Sequence, residues 1–146
     1  MLAATEARIE AIADSPIGFV GSALQMSAVL QHKPKTTTDC YVVPVSERPQ
    51  GNKHTTGPAL QRSDVVIGVV FVVRALNDPA GLRGSQRLTD ARDAVRDVIY
   101  GWTPPEASAR FLQAGGELVR MEHGTIWWID RYVSQIQRRS NPENLK

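Results

Sequence analysis

The segment Gln61–Arg74 places Val65, Ile67, Val69, Phe71 and Val73 at every second position, with Val66, Gly68, Val70 and Val72 between them. Successive side chains of a strand point to opposite faces, so the segment predicts a strand that is apolar on both sides. Such a strand has to be covered twice. The chain's own helices serve for one face, and the other requires a further layer or a neighbouring subunit. Thr125–Val133 repeats the pattern in aromatic form, because the adjacent Trp127 and Trp128 must point to opposite faces.

The other elements arrange themselves around these two strands. Leu2–Ala13 reads as a short amphipathic helix stopped by Asp14-Ser15-Pro16, and Ser22–Leu30 as a second short helix. Cys40–Val45 is a further strand, with Pro44 favouring a sheet edge or a strand end. Ser46–Leu60 contains Pro49, Gly51, Gly57 and Pro58 and reads as a long loop. Asn77-Asp78-Pro79 has the form of a helix start. The helix is convincing from Ser85, where Leu88, Ala91, Val95, Val98 and Ile99 form a stripe, and Gly101 suits its end. Phe111–Met121 and Thr125–Ile136 form a strand pair turning at Glu122-His123-Gly124, with a bulge or bend at Gly115-Gly116. The expected fold is α+β, a mostly antiparallel sheet with helices packed on one face. It occupies 1–136 as one domain, and 137–146 is expected to be a polar, flexible tail.

Charge and composition narrow the function. A chain of 146 residues with a net charge of +2 gives no general case for nucleic-acid binding. Lys33, Lys35, Arg48, Lys53, Arg138 and Arg139 are positive, but ordinary surface charge accounts for them. Trp127, Trp128 and Tyr132 would suit base stacking, yet no basic residues interleave with them, and core or interface aromatics are the better reading. The apolar run Val65–Val73 is too short to cross a bilayer, so no membrane role is expected. The first ten residues lack the apolar stretch of a signal peptide. With a single cysteine, Cys40, the chain has no intrachain disulfide, as suits a reducing compartment.

Chemistry is expected to be absent. His32, His54 and His123 are isolated from one another and from any ligand-spaced partner, so no metal is expected. Cys40 opens an apolar strand and reads as a buried thiol. Glu117 with Glu122, or Asp90 with Asp93, would be the acid–base candidates, but they lie on polar faces. No nucleotide, hydrolase or zinc-protease motif occurs. The expectation is a non-enzyme without cofactors.

Five segments taken together resemble the phage tail terminator family. They are the helix Met1–Ile9, the stretch Tyr41–Arg48, Val69–Asp78 leading into a helix, that helix with its end Tyr100-Gly101-Trp102-Thr103-Pro104, and the hairpin from Gly115-Gly116-Glu117-Leu118 to Trp127-Trp128. They span nearly the whole chain, and order and spacing rather than one motif carry the likeness. The resemblance implies a homo-hexameric ring in the virion, on the head-proximal end of the tail tube and assembled in the host cytoplasm. It would halt tube polymerisation and offer a surface to head-completion and neck proteins. The implied partners are the tube protein, those neck proteins and the tape-measure protein, with duplex DNA passing through as cargo.

The doubly apolar strands are an independent reason for a ring, which repeats one heterologous interface without a free edge. Val66, Val70, Val72, Trp127, Trp128 and Tyr132 are the candidate subunit-interface residues. A domain of this length has a radius of gyration of about 15 Å, and six in a ring leave a hole on the order of 40 Å. Ser46, Glu47, Arg48, Gln50, Asn52, Lys53 and His54 are the candidate loop residues for contact with the tube, the lumen or a partner. A head-completion or neck connector is the alternative within phage assembly. A small nucleic-acid-binding module and a small α+β enzyme or ligand-binding domain are the alternatives outside it.

Overall fold

A computed structural model describes residues 1–52, 56–75 and 82–145, with Leu145 by its backbone only. The elements are α1 (Leu2–Glu10), β1 (Phe19–Ser22), α2 (Met26–Gln31), β2 (Thr38–Pro49), β3 (Leu60–Arg74), α3 (Leu82–Ile99), β4 (Leu112–Glu122), β5 (Thr125–Arg139) and a terminal 3-10 turn, Pro142–Leu145. The sheet order is β1-β2-β3-β5-β4. Among the described residues only the β1–β2 pair is parallel. The fold is α+β with a mostly antiparallel sheet, as expected.

The doubly apolar strand is the centre of this sheet, and its alternation sorts the core into two layers. Ile67, Val69, Phe71 and Val73 face one way, into a cluster with Cys40, Val42 and Tyr132 from neighbouring strands, Ile9 of α1, and Ala91, Val95 and Ile99 of α3. Val70 and Val72 face the other way, with Tyr41, Val43, Trp127, Ile129 and Val29 of α2. The short α2, with Phe19 beside it, is therefore the further layer that the second face requires. Four candidate interface residues lie inside the chain's own core as a result: Val70, Val72, Trp127 and Tyr132 are 0%, 2%, 6% and 1% exposed. Only Val66 and Trp128 of that set keep part of their surface.

Several boundaries differ from the sequence expectation. Ser22 ends a strand instead of opening a helix, and α2 starts at Met26. Phe19–Ser22 is drawn into extended form by pairing with Asp39–Val42, a long-range ladder that no local periodicity reports. The expected loop Ser46–Leu60 is shorter: Ser46–Pro49 continue β2 against Ser63–Val66, and Leu60 begins β3. Pro44 sits at a bulge, beyond the residues that β1 pairs, so its missing N–H leaves no ladder bond unmade there. Gln137–Arg139, which the sequence reading put in the polar tail, are instead the end of β5 and pair with Leu60–Arg62. The expected helix start at Asn77-Asp78-Pro79 lies outside the described residues.

The β4–β5 turn is the expected one. His123 and Gly124 both have positive φ, at 49° and 73°, the form that suits a two-residue hairpin. Gly101 ends α3 with φ 83°, and its N–H donates to the Phe111 carbonyl at 2.8 Å, tying the helix end to the start of β4.

Candidate functional site

Three surfaces stand out, and the candidate loop residues lie on the first. The ends of β2, β3 and β5 run together as a three-stranded arm, and neither apolar cluster contains a residue from 44–64 or 133–146. The arm is held by its backbone ladder and by polar side chains. Arg138 pairs with Glu47, and the Gln50 and Gln135 side-chain amides both donate to Asp64 Oδ1, at 3.1 and 3.0 Å. Ser46, Glu47 and Arg48 are thus strand residues on the arm's exposed edge, with Gln50 and Asn52 beyond them at its tip. Lys53 and His54 lie outside the described residues.

The second surface is the outer strand β4. Large apolar side chains stand in solvent along it: Leu112, Leu118 and Met121 are 53%, 52% and 60% exposed. At the opposite side of the sheet, an apolar groove of about 690 Å³ runs between Met1 and Leu2 of α1, Leu24, Val45 beside the β2 bulge, and Val65 and Val66. The molecule therefore presents exposed apolar side chains along one sheet edge, Leu118 and Met121 beside Trp128 and Ile126 on one face and Leu112 beside Val133 on the other, and an apolar groove at the opposite edge.

The third surface was missed in the sequence. Asp130 is 6% exposed on β5 and accepts from Arg92 Nε at 2.8 Å, Arg92 Nη2 at 3.0 Å and Trp128 Nε1 at 2.9 Å. The Arg92 guanidinium also lies over the Trp128 ring, 4.6 Å from its centre. Gly116 of β4 lies against the same carboxylate, and a Cβ there would meet Asp130 Oδ1. One signal was legible: Trp128, Asp130 and Tyr132 share one strand face, so a carboxylate sits between two aromatics on a core side, where it needs a partner. The identity of that partner, 38 residues away on a helix, was not.

The candidate chemical groups do not gather. Glu117 pairs with Arg131 at 2.6 Å, Glu122 faces Arg120 and His123, Asp90 accepts from Gln86, and Asp93 pairs with Arg96. Cys40 is fully buried, and burial pushes its thiol well above the ordinary range. Among the described residues no three His, Cys, Asp or Glu side chains are placed to hold a metal ion. The positive residues are dispersed: Lys35 lies over the Phe19 ring, while Arg138 is paired on the arm.

The family model described as "Phage tail terminator protein" matches residues 3–143. The chain belongs to the phage tail terminator family. It is a structural protein of phage tails and a component of the virion. Among solved structures it is similar to a chain of the "Virion of native gene transfer agent (GTA) particle", with a TM-score of 0.55 and 19% identity over 94% of this chain and 95% of that one, a likeness of fold. No curated relative matches the chain. The family's phage tail and virion context is one of interaction with other virion proteins.

Proposed function

We propose that this protein caps the head-proximal end of the tail tube as a closed ring, halts tube polymerisation and offers the other side of the ring to head-completion and neck proteins. The observation that carries the ring is the presence of exposed apolar side chains at one sheet edge and of an apolar groove at the opposite one. A closed cyclic assembly needs two different surfaces, on opposite sides of one subunit, that fit each other. The β4 edge, with Leu112, Leu118 and Met121, and the groove lined by Leu24, Val45 and Val66 supply one apolar surface at each side of the subunit, which supports this reading. Scattered single apolar residues would not, whereas exposed patches of this kind mark contact sites. Six copies around duplex DNA, with contacts to the tube and tape-measure proteins, complete the reading. The polar arm, with Ser46, Glu47, Arg48, Gln50 and Asn52, is the element we assign to the tube.

The test is assembly with and without the protein. Purified protein added to polymerising tubes should stop growth and appear as a ring at one end in electron micrographs. Tails made without it should lose uniform length. Tails of normal length, lacking only heads, would instead place the protein in the neck.

A further inference from the structure

The cations of the body are scattered, but the arm gathers three arginines on one face. Arg48 lies opposite Asp64 in the β2–β3 ladder, and Arg62 lies two residues along β3 from Asp64. Arg139 lies opposite Leu60 in the β3–β5 ladder, two residues from Arg62 in the other direction. Side chains that are opposite each other, or two apart on one strand, share a face, so all three arginines stand on the same side of the arm. Arg62 is the diagonal neighbour of the other two, at about 7 Å from each. The three form a row across three strands, and all are exposed. At the Arg139 end the row borders an open cleft of about 430 Å³, walled by Thr56, Pro58, Leu60 and Gln137.

The row is left without counter-charge. Among the described residues none of the three side chains is placed in an ion pair, a hydrogen bond or a ring contact. Asp64 is the one carboxylate on this face of the described ladder, yet its Oδ1 accepts from the amides of Gln50 and Gln135 rather than from Arg48 opposite. The other face of the arm is neutral by contrast, because Arg138 pairs there with Glu47. Like charges side by side on a sheet are destabilising, and an acidic partner relieves that cost. A guanidinium is suited to the task, since it grips a carboxylate with two parallel hydrogen bonds. A phosphate backbone fits the face less well. It carries acceptors only, and Asp64, beside both Arg48 and Arg62, repels it. A protein surface can instead set carboxylates against the arginines and a donor against Asp64.

We propose that the row of Arg48, Arg62 and Arg139 is the face of the arm that meets the tube, and that it docks on carboxylates presented at the tube end. This rests on the capping function proposed above and adds to it the face and the chemistry of the contact. The cleft beside Arg139 gives the row a concave end, where a side chain of the tube protein seats against Pro58 and Leu60.

The test compares three full-length proteins for capping purified tubes: the wild type, a triple variant with Arg48→Gln, Arg62→Gln and Arg139→Gln, and a control with Lys33→Gln, Arg83→Gln and Arg110→Gln. The control removes the same charge from exposed positions off the arm. The arm variant should lose about tenfold or more in apparent affinity for tube ends, with no fall in melting temperature, while the control caps like the wild type. Raising sodium chloride from about 0.05 to 0.5 M should weaken capping by the wild type and change the residual capping of the arm variant far less. Should the triple change lower the melting temperature, Arg62→Gln alone, at the middle of the row, is read instead, with an expected loss of about threefold. Equal capping by the arm variant and the wild type overturns the arginine contact and leaves the capping function standing. Equal loss in the arm variant and the control makes the effect one of total charge and overturns the row. Failure of the wild type to cap overturns the capping function and this contact together. An arm variant that caps normally but loses binding to a duplex DNA that the wild type holds would assign the face to phosphate and overturn the proposal.

Discussion

Cys40 and Tyr132 are buried groups whose ionisation the fold opposes, and this gives the protein an alkaline limit. The Cys40 thiol is raised from its ordinary value of 9.0 by burial first and then by the charges of Asp39 and Glu6. Tyr132 is pushed from 10.0 up to about 12, by burial first and then by Asp130. In both cases the folded chain keeps a proton that the unfolded chain releases, so the stability is fully present below the unfolded value and is lost as pH rises. The unfolding free energy from urea titrations should therefore hold steady up to about pH 8 and fall above pH 9 through Cys40 and above pH 10 through Tyr132, by at most about 1.4 kcal/mol per pH unit for each group. Cys40→Ala should lower the plateau by about 1 kcal/mol through the small cavity it leaves, but flatten the fall above pH 9. An unchanged slope in that variant would place the alkaline sensitivity elsewhere. At Asp130, replacement by Asn keeps the size and removes the charge that holds Arg92, whose side chain is 28% exposed. Discounted for that exposure, the loss should be about 2 kcal/mol in chemical denaturation. Arg92→Gln combined with it should cost less than the sum of the two single changes.

At the scale of elements, what was legible followed from local pattern and what was hidden followed from distant pairing. The stripe Leu88–Ile99 needs only its own spacing, and it became α3. The turn at His123-Gly124 needs only two residues able to take positive φ. By contrast, Ser46–Pro49 carry no strand period of their own and are extended because β3 runs alongside them. Phe19–Ser22 depends in the same way on β2. The candidate interface suffered from the same limit: double apolarity in β3 was legible, but the covering of its second face by the six-residue α2 was not. Among the exposed large apolar side chains, Leu112, Leu118, Val119 and Met121 fall on β4, where every residue but Arg120 is exposed. Leu118→Lys should thus change folding stability by no more than about 0.5 kcal/mol, since the site is already in solvent. The same charge on an open strand edge discourages pairing with another chain. Sedimentation of the variant should show loss of the proposed ring with an unchanged melting temperature, and rings of normal mass would remove β4 from the subunit contact.

The whole molecule divides into a packed body and the polar arm, and the two answer to different forces. The body is sealed by two apolar layers, and nothing in those layers comes from the arm. The arm is a continuation of three central strands, with its tip joined at Ala59 and Ser140 by a reciprocal pair of bonds at 2.8 and 2.9 Å. A surface hairpin of this kind contributes little to global stability, because it buries few apolar side chains, and shortening a loop changes closure entropy only slowly. Replacing residues 53–59 by a two-residue Asn-Gly turn flanked by Asn52 and Leu60 keeps the Pro49–Ser63 register and shortens the tip. We expect the shortened protein to unfold within about 0.5 kcal/mol of the parent, to form the same ring, and to fail at stopping tube growth. The three readouts separate the candidate roles. Loss of the ring would make the arm part of the subunit contact. Full capping by the shortened protein, with tubes arrested at normal length, would show that the tube is met by another surface and leave the arm to face the lumen or the neck.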